Sequence, residues 1–342
     1  ANPLYDALLG VHKNNQTDLI INPLGNQTVN YRSFVRQVAQ IANAISEIGL
    51  VPGDRLVAQV EKSVPALALY LGCVQAGVIY LPLNNAYTAS EVEYFLVDSG
   101  AKLLICDPGS EAQLVNVASK NKTTLLTQSA NGEEGTFAER VREASGQFET
   151  VHRAEDDIAA LLYTSGTTGR SKGAMLTQRN LLSNCQVLVE LWQFTDQDVL
   201  LHALPVFHTH GLFVASNIVL MAGAKMIFEP RFDIDRVIEQ LPFATTLMGV
   251  PTFYTRMLND PRFKRELVRN MRLFISGSAP LLAETHRQFE QVTGHRILER
   301  YGMTETNMNT SNPYSGDRRA GTVGFPLPGV EVIISDPKTG EA

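Results

Sequence analysis

Cysteine is scarce in this sequence, and the three present, Cys73, Cys106 and Cys185, are odd in number, widely spaced and set among apolar neighbours. That argues against a disulfide scaffold, implies no zinc site, and points to buried thiols in a reducing compartment. Positive charge is not in excess either: 29 Lys and Arg stand against 35 Asp and Glu, for a net charge of −6. Nucleic acid and anionic membrane are therefore poor candidates for the main partner. No apolar run approaches the roughly 18 residues of a membrane span. The first residues, Ala1-Asn2-Pro3-Leu4-Tyr5-Asp6, lack the basic-then-apolar order of a secretory leader. The expected location is the cytoplasm, although a trimmed targeting peptide would leave no trace. What remains is an ordinary globular composition, 44% hydrophobic and 19% charged over 342 residues, long enough for two or three subdomains.

One stretch organises the chain. Ile158 to Tyr163 reads as a buried strand, and it runs straight into Thr164-Ser165-Gly166-Thr167-Thr168-Gly169-Arg170-Ser171-Lys172-Gly173. The glycines let backbone N–H groups turn toward one oxygen-rich ligand, the hydroxyls add donors, and Lys172 adds the charge that phosphate requires. It is not a Walker loop, which needs Gly before the Lys and Ser or Thr after it. A bare surface loop of turn formers is the plain alternative. Placement after an apolar strand, with a Lys at its end, favours a polyphosphate cradle.

Around that loop the pattern is repeated strand and helix. Phe34, Val38, Ile41, Ile45 and Ile48 share one helical face that ends at Gly49, and Arg55 to Val60 follows as a strand. Ser63 can cap the next helix, which stops at Gly77 before the strand Val78 to Leu83. Thr88 and Glu91 have capping-box spacing, with Gly100 as the stop and Lys102 to Cys106 as the next strand. Thr127 to Gln147 is polar and reads as a peripheral excursion. A second series then begins: a helix over Thr177 to Trp192, strands at Val199 to Leu204, Lys225 to Phe228 and Thr245 to Met248, and a helix over Ile234 to Leu241. Arg272 to Ile275, the helix Leu282 to Val292, and Ile297 to Glu299 continue the rhythm. The expected fold class is α/β with two doubly wound sheet subdomains in succession, over residues 1–176 and 177–320. The last stretch, Val330 to Ile334 between turns, reads as the start of an antiparallel β element.

Two more clusters carry chemistry. Phe274-Ile275-Ser276-Gly277-Ser278-Ala279-Pro280 again ends a strand in small residues, where ligands of open α/β sheets sit. In Glu299-Arg300-Tyr301-Gly302-Met303-Thr304-Glu305, Thr304 can donate to phosphate and Glu305 can hold the Mg²⁺ that ATP brings.

These three motifs, in this order, resemble those of the adenylate-forming superfamily of acyl-CoA synthetases, luciferases and peptide-synthetase adenylation domains, and the resemblance spans essentially the whole chain. It implies the large N-terminal domain of that fold, with residues 321–342 as the start of a distorted β-barrel. It also implies that Thr164, Ser165, Thr167, Thr168, Lys172 and Thr304 hold ATP phosphates, with Gly166, Gly169 and Gly302 also in the ATP site. Ser278, Ala279, Pro280, Glu299, Arg300 and Tyr301 would line the adenine pocket. Glu305 would take the metal, with Thr168 as a second candidate ligand. His208-Thr209-His210-Gly211-Leu212, Gly249-Val250-Pro251-Thr252-Phe253-Tyr254 and Glu305-Thr306-Asn307-Met308 are similar to the malonate-activating branch of the family. That branch would use ATP and Mg²⁺ to make malonyl-adenylate, and coenzyme A to release malonyl-CoA. Lys172, Thr304, Glu305 and His208 would serve the chemistry. Arg256 and Ser278 would bind malonate's second carboxylate, since a buried carboxylate without a partner costs several kcal/mol. Met308 would wall the acid pocket beside His208. By itself Arg256 could equally be a solvated helix residue. Another short acid, methylmalonate or acetate, stays open, as does a nucleotide-binding module without turnover. Full-length relatives carry a ribose-binding Asp, a hinge Arg and a C-terminal domain with a catalytic Lys, none of which falls within the 342 residues.

Overall fold

Helices begin and end where side-chain caps and glycines dictate. In this computed structural model, which describes residues 1–22, 27–164 and 169–342, the Ser63 hydroxyl accepts the N–H of Ala66 and starts the helix Val64–Ala76. Thr88 and Glu91 close a capping box on the helix Ala89–Ser99. Gly49, Gly77 and Gly100 end their helices in the left-handed conformation that side chains disfavour.

The strands in chain order are β1 (Asp18–Asn22), β2 (Gln27–Asn30), β3 (Arg55–Gln59), β4 (Ile79–Pro82), β5 (Leu103–Cys106), β6 (Thr124–Thr127) and β7 (Ile158–Thr164). There follow β8 (Lys172–Thr177), β9 (Val199–His202), β10 (Lys225–Phe228), β11 (Thr246–Gly249), β12 (Leu273–Ser276), β13 (Leu298–Met303), β14 (Asn307–Ser311) and β15 (Phe325–Pro326). They build a six-stranded sheet, β6-β5-β3-β4-β7-β8, and a nine-stranded sheet, β15-β14-β13-β12-β11-β9-β10-β1-β2. The interior pairs are parallel, and their strands are apolar on both faces because helices cover both sides. The N-terminal pair is out of sequence order. β1 runs parallel to β10, so β1 and β2 lie at the edge of the second sheet rather than in the first.

One core joins the two sheets. The helix Val64–Ala76 is buried from Pro65 to Ala76, and Tyr70 reaches the other half of the molecule. Its hydroxyl donates to Asn217 Oδ1 at 3.0 Å, and its ring lies 5.6 Å from that of Phe213. Large apolar side chains buried like these contribute about 1.5–3 kcal/mol each. At Gly72 an added Cβ would overlap Ile41, so glycine sets how closely this helix meets Tyr31–Ile48.

One expectation needs correction, and two elements carried no local signal. Lys172, expected at the end of the loop, opens β8, which pairs antiparallel with β7 and forms a hairpin with it. The polar stretch after Thr127 contains the helix Thr136–Glu143, anchored by fully buried Phe137. Val330 to Ile334 forms no strand: Ile333 and Ile334 are 75% and 88% exposed, and a strand has no stability without a partner. The antiparallel element stops at β15, and no closed barrel forms among the described residues.

Candidate active site

Both sheets reverse strand order at a central strand. From β3 the chain passes to β4 on one side and later to β5 on the other, and β9 is flanked in the same way by β10 and β11. A crevice opens beyond the carboxyl end of such a strand. The two crevices face each other. Val60, Glu61 and Lys62 after β3, and Pro205, Val206 and Phe207 after β9, line one cavity of about 350 Å³.

On the first-sheet side, the hairpin β7–β8 is fastened at its base. The Tyr163 hydroxyl donates to Asp98 at 2.6 Å, and the Tyr94 hydroxyl donates to the Ser171 carbonyl at 2.6 Å. The Ser171 hydroxyl in turn donates to the Thr164 carbonyl. Lys172 lies opposite Thr164 with an exposed side chain, and no ion pair among the described residues involves it. Gly169 has φ +126°, backbone closed to most side chains. Ser165, Gly166, Thr167 and Thr168 lie outside the described residues, so Thr168 as a metal ligand does too.

The structure brings Thr304 and His208 to that base. With Asn84, Tyr87, Leu162 and Tyr163 they surround a pocket of about 20 Å³, room for about one water. Glu305 is exposed on the turn between β13 and β14. No cluster of three metal-ligating side chains exists among the described residues. A single accessible carboxylate fits Mg²⁺, which is commonly held by one or two carboxylates and substrate phosphates.

Beyond β12 the wall changes character. Ser278 takes φ +71°, and its hydroxyl lies 3.3 Å from His210 Nδ1; Ala279 and Pro280 are exposed beside it. A Cβ on Gly277 would overlap the Arg300 guanidinium, so glycine makes room for that arginine. Arg300 is 4% exposed, yet its Nε and Nη2 have no hydrogen-bond partner among the described residues; nor do His210 Nε2, Thr209 Oγ1 and Ser276 Oγ. Native interiors leave few such groups unmet; of the eleven among the described residues, five belong to Arg300, His210, Thr209 and Ser276, and the others are scattered. Burial lowers the Arg300 guanidinium to about 10. Burial, then the Arg300 charge, holds the His210 imidazole well below its usual range. His208 keeps an exposed face, but the protein around it also lowers its pKa.

Other assigned residues fall differently. The Glu299 carboxylate lies 3.4 Å from His286 Nδ1 and accepts the Gly321 N–H at 3.1 Å, so it is engaged within the protein. Tyr301 is 46% exposed. Met308 is buried on β14 and packs against Gly302, while Asn184 holds its backbone N–H and carbonyl at 3.2 and 3.0 Å. Arg256 sits on the helix Pro251–Leu258 with its guanidinium 4.6 Å from the Phe232 ring centre. It donates to the Phe232 carbonyl at 3.5 Å, and no hydrogen bond or ion pair links it to His208, His210 or Ser278.

Sequence reasoning missed Lys62 and His202. Lys62 Nζ donates to His202 Nδ1 at 2.8 Å and to the His202 carbonyl at 3.0 Å, and stands 4.5 Å from the Phe228 ring centre. Burial lowers Lys62 well below the usual amine range, against the opposing pull of Glu229. No local signal marked either residue. Glu61-Lys62-Ser63 reads as a polar turn, and His202 as the end of an apolar strand.

Comparisons with known proteins place the chain in a family. The AMP-binding enzyme family matches residues 11–342. A malonate–CoA ligase of Arabidopsis thaliana is 35% identical over 311 residues, 84% of this chain and 51% of the relative. The chain thus spans about half the length of that relative. The crystal structure of ATP-bound MatB from Rhodopseudomonas palustris superposes with a TM-score of 0.96 at 51% identity, covering 100% of this chain and 68% of that one. A malonyl-CoA ligase product complex with methylmalonyl-CoA and AMP superposes with a TM-score of 0.76 at 32% identity, over 92% of this chain and 63% of that one. By sequence and by fold alike, the chain belongs to the AMP-binding enzyme family of adenylate-forming ligases.

Proposed function

We propose that the chain carries the ATP and acid sites of a malonate–CoA ligase. One carboxylate of malonate attacks the α-phosphorus of ATP, giving malonyl-adenylate and releasing pyrophosphate. The thiol of coenzyme A then attacks the acyl carbon, forming malonyl-CoA and expelling AMP. Lys172, Thr304 and the loop from Thr164 to Gly169 hold the phosphates, with Ser278, Ala279, Pro280 and Tyr301 against the adenine. Mg²⁺, held by Glu305 and the phosphates, would neutralise charge on the pyrophosphate leaving group.

The observation that carries this reading is the gathering of unmet buried groups around Arg300, His210, Thr209 and Ser276. After one carboxylate of malonate is activated, the other stays ionised and needs a charged partner in a dry site. Arg300 offers an unpaired fork there, which a monocarboxylate cannot use. Arg256 supplies the second cation by moving off Phe232, and Met308 limits the acid's size. The three buried free thiols, Cys73, Cys106 and Cys185, support a reducing, cytoplasmic setting.

Acid-dependent ATP–pyrophosphate exchange tests the proposal. Malonate should support exchange far better than acetate, with methylmalonate between them. Arg256→Ala should lose malonate activity more than acetate activity. Exchange that ignores which acid is present, or AMP binding with no acid-dependent chemistry, would overturn it.

A further inference from the structure

His202 closes β9 at the second crevice, and its ring is tied on both sides. The Gly211 carbonyl can only accept, so His202 Nε2, 2.9 Å away, carries the ring proton. Nδ1 is then a lone pair, and Lys62 Nζ donates to it at 2.8 Å while also donating to the same residue's carbonyl at 3.0 Å. Charged or neutral, the amine has N–H groups for both bonds. One side chain from the first sheet thus locks the tautomer that Gly211 selects, together with the ring plane and the backbone of one residue in the second.

What that ring supports is the turn bearing His208 and His210. Residues His210–Ser216 form a π-helix, a geometry rarely sustained without outside support. Gly211 approaches the Pro205 carbonyl so closely that a Cβ would overlap it. The Gly211 carbonyl accepts from His202 and also from the Ser216 hydroxyl at 2.8 Å. On the opposite side, the Leu212 N–H donates to the His208 carbonyl at 3.0 Å, and His210 Nδ1 meets Ser278 at 3.3 Å.

We propose that Lys62 is a positioning residue: by clamping the His202 ring across the gap between the sheets, it holds the His208–His210 turn where the acid is activated. The inference rests on the ligase reading above. Lys62 itself needs no contact with acid or nucleotide, and its effect passes through His202 and Gly211.

Lys62→Met and Lys62→Gln in the full-length protein provide the test. Nitrogen NMR of the His202 ring should show a neutral Nε2–H tautomer in the parent protein and a loss of that single state in Lys62→Met. In malonate-dependent exchange, Lys62→Met should lower kcat roughly 10- to 100-fold, the scale of a misplaced reacting group, while the ATP KM stays within about twofold. Lys62→Gln, whose amide can still donate to Nδ1, should recover most of the loss. An Nδ1–H tautomer in the parent would overturn the proposal. So would an unchanged kcat in Lys62→Met, or equal damage in both variants with a matching drop in melting temperature. If the parent shows no malonate-dependent exchange, the ligase reading fails, and the His202 spectra alone decide whether the clamp exists.

Discussion

Arg300→Met should move stability and activity in opposite directions. In the unliganded protein the guanidinium is 4% exposed, with two nitrogens lacking partners among the described residues. Each buried unmet donor costs about 1–3 kcal/mol, and Met fills a similar space without polar atoms. The variant should therefore be at least as stable as the parent. At about 2.1 cal/mol/K of unfolding entropy per residue, a gain of roughly 2 kcal/mol over this chain would raise the melting temperature by about 3 °C. With malonate bound the sign reverses. Removing one partner of a buried ion pair costs about 3–5 kcal/mol, which is roughly 10²- to 10⁴-fold in kcat/KM for malonate. Scanning fluorimetry without ligand and exchange kinetics with malonate and acetate measure the two sides. A melting temperature several degrees lower, with equal losses for both acids, would show that Arg300 braces the fold and binds no carboxylate.

Gly277→Ala should mimic part of that effect without touching the charge, because the new Cβ overlaps the Arg300 guanidinium; the malonate KM should rise, and an unchanged KM would mean that Arg300 is not where malonate binds. Lys172→Ala should weaken MgATP binding by about 1.5–3 kcal/mol while the unliganded melting temperature stays put, since Lys172 is exposed; calorimetry checks it, and unchanged affinity removes Lys172 from the phosphate site. Asp198→Asn addresses stability. Burial alone would raise the Asp198 pKa, but the bidentate Arg272 contacts at 2.8 and 2.9 Å, with hydrogen bonds from Thr195 and Thr245, outweigh it and hold the carboxyl below its usual range. Such a group stabilises the fold above its unfolded pKa, near 4, and loses that contribution as pH falls through its lower folded pKa. The variant should lose about 3–5 kcal/mol at neutral pH. Denaturant titrations should show the gap from the parent narrowing below about pH 4, and a gap independent of pH would refute the ion-pair account.

Local chemistry made much of the fold legible. Ser63, Thr88 and Glu91 cap the helices they were expected to cap, and Gly49, Gly77 and Gly100 stop them, because those roles depend on residues within one turn. The failures are all matters of partnership. β8 exists because β7 offers it an edge, and Val330 to Ile334 stays out of a sheet because no strand lies beside it. Phe137 makes a helix of a polar stretch by reaching a core that the local pattern does not display. β1 joins β10 across some 200 residues, a pairing no periodicity can announce.

The candidate site divides along the same line. Thr304 and Ser278 sit in short motifs at strand ends, and parallel sheets place strand ends where ligands bind; His208 lies beyond the end of β9 and was placed at the site only by its resemblance to the family motif. Arg300 was assigned to the nucleotide because its motif lies there; the unmet nitrogens that turn it toward an anion appear only once Gly277 has opened the space beside it. Lys62 and His202 lie 140 residues apart in unrelated contexts. Each is unremarkable in its own sheet. They meet because both sheets reverse strand order at the strands that end beside them, so the two crevices open toward each other. A polar turn on one side then becomes the nearest donor to a ring on the other. The cross-sheet contact is a product of topology, and the control it exerts over the His208–His210 turn is legible only at that level.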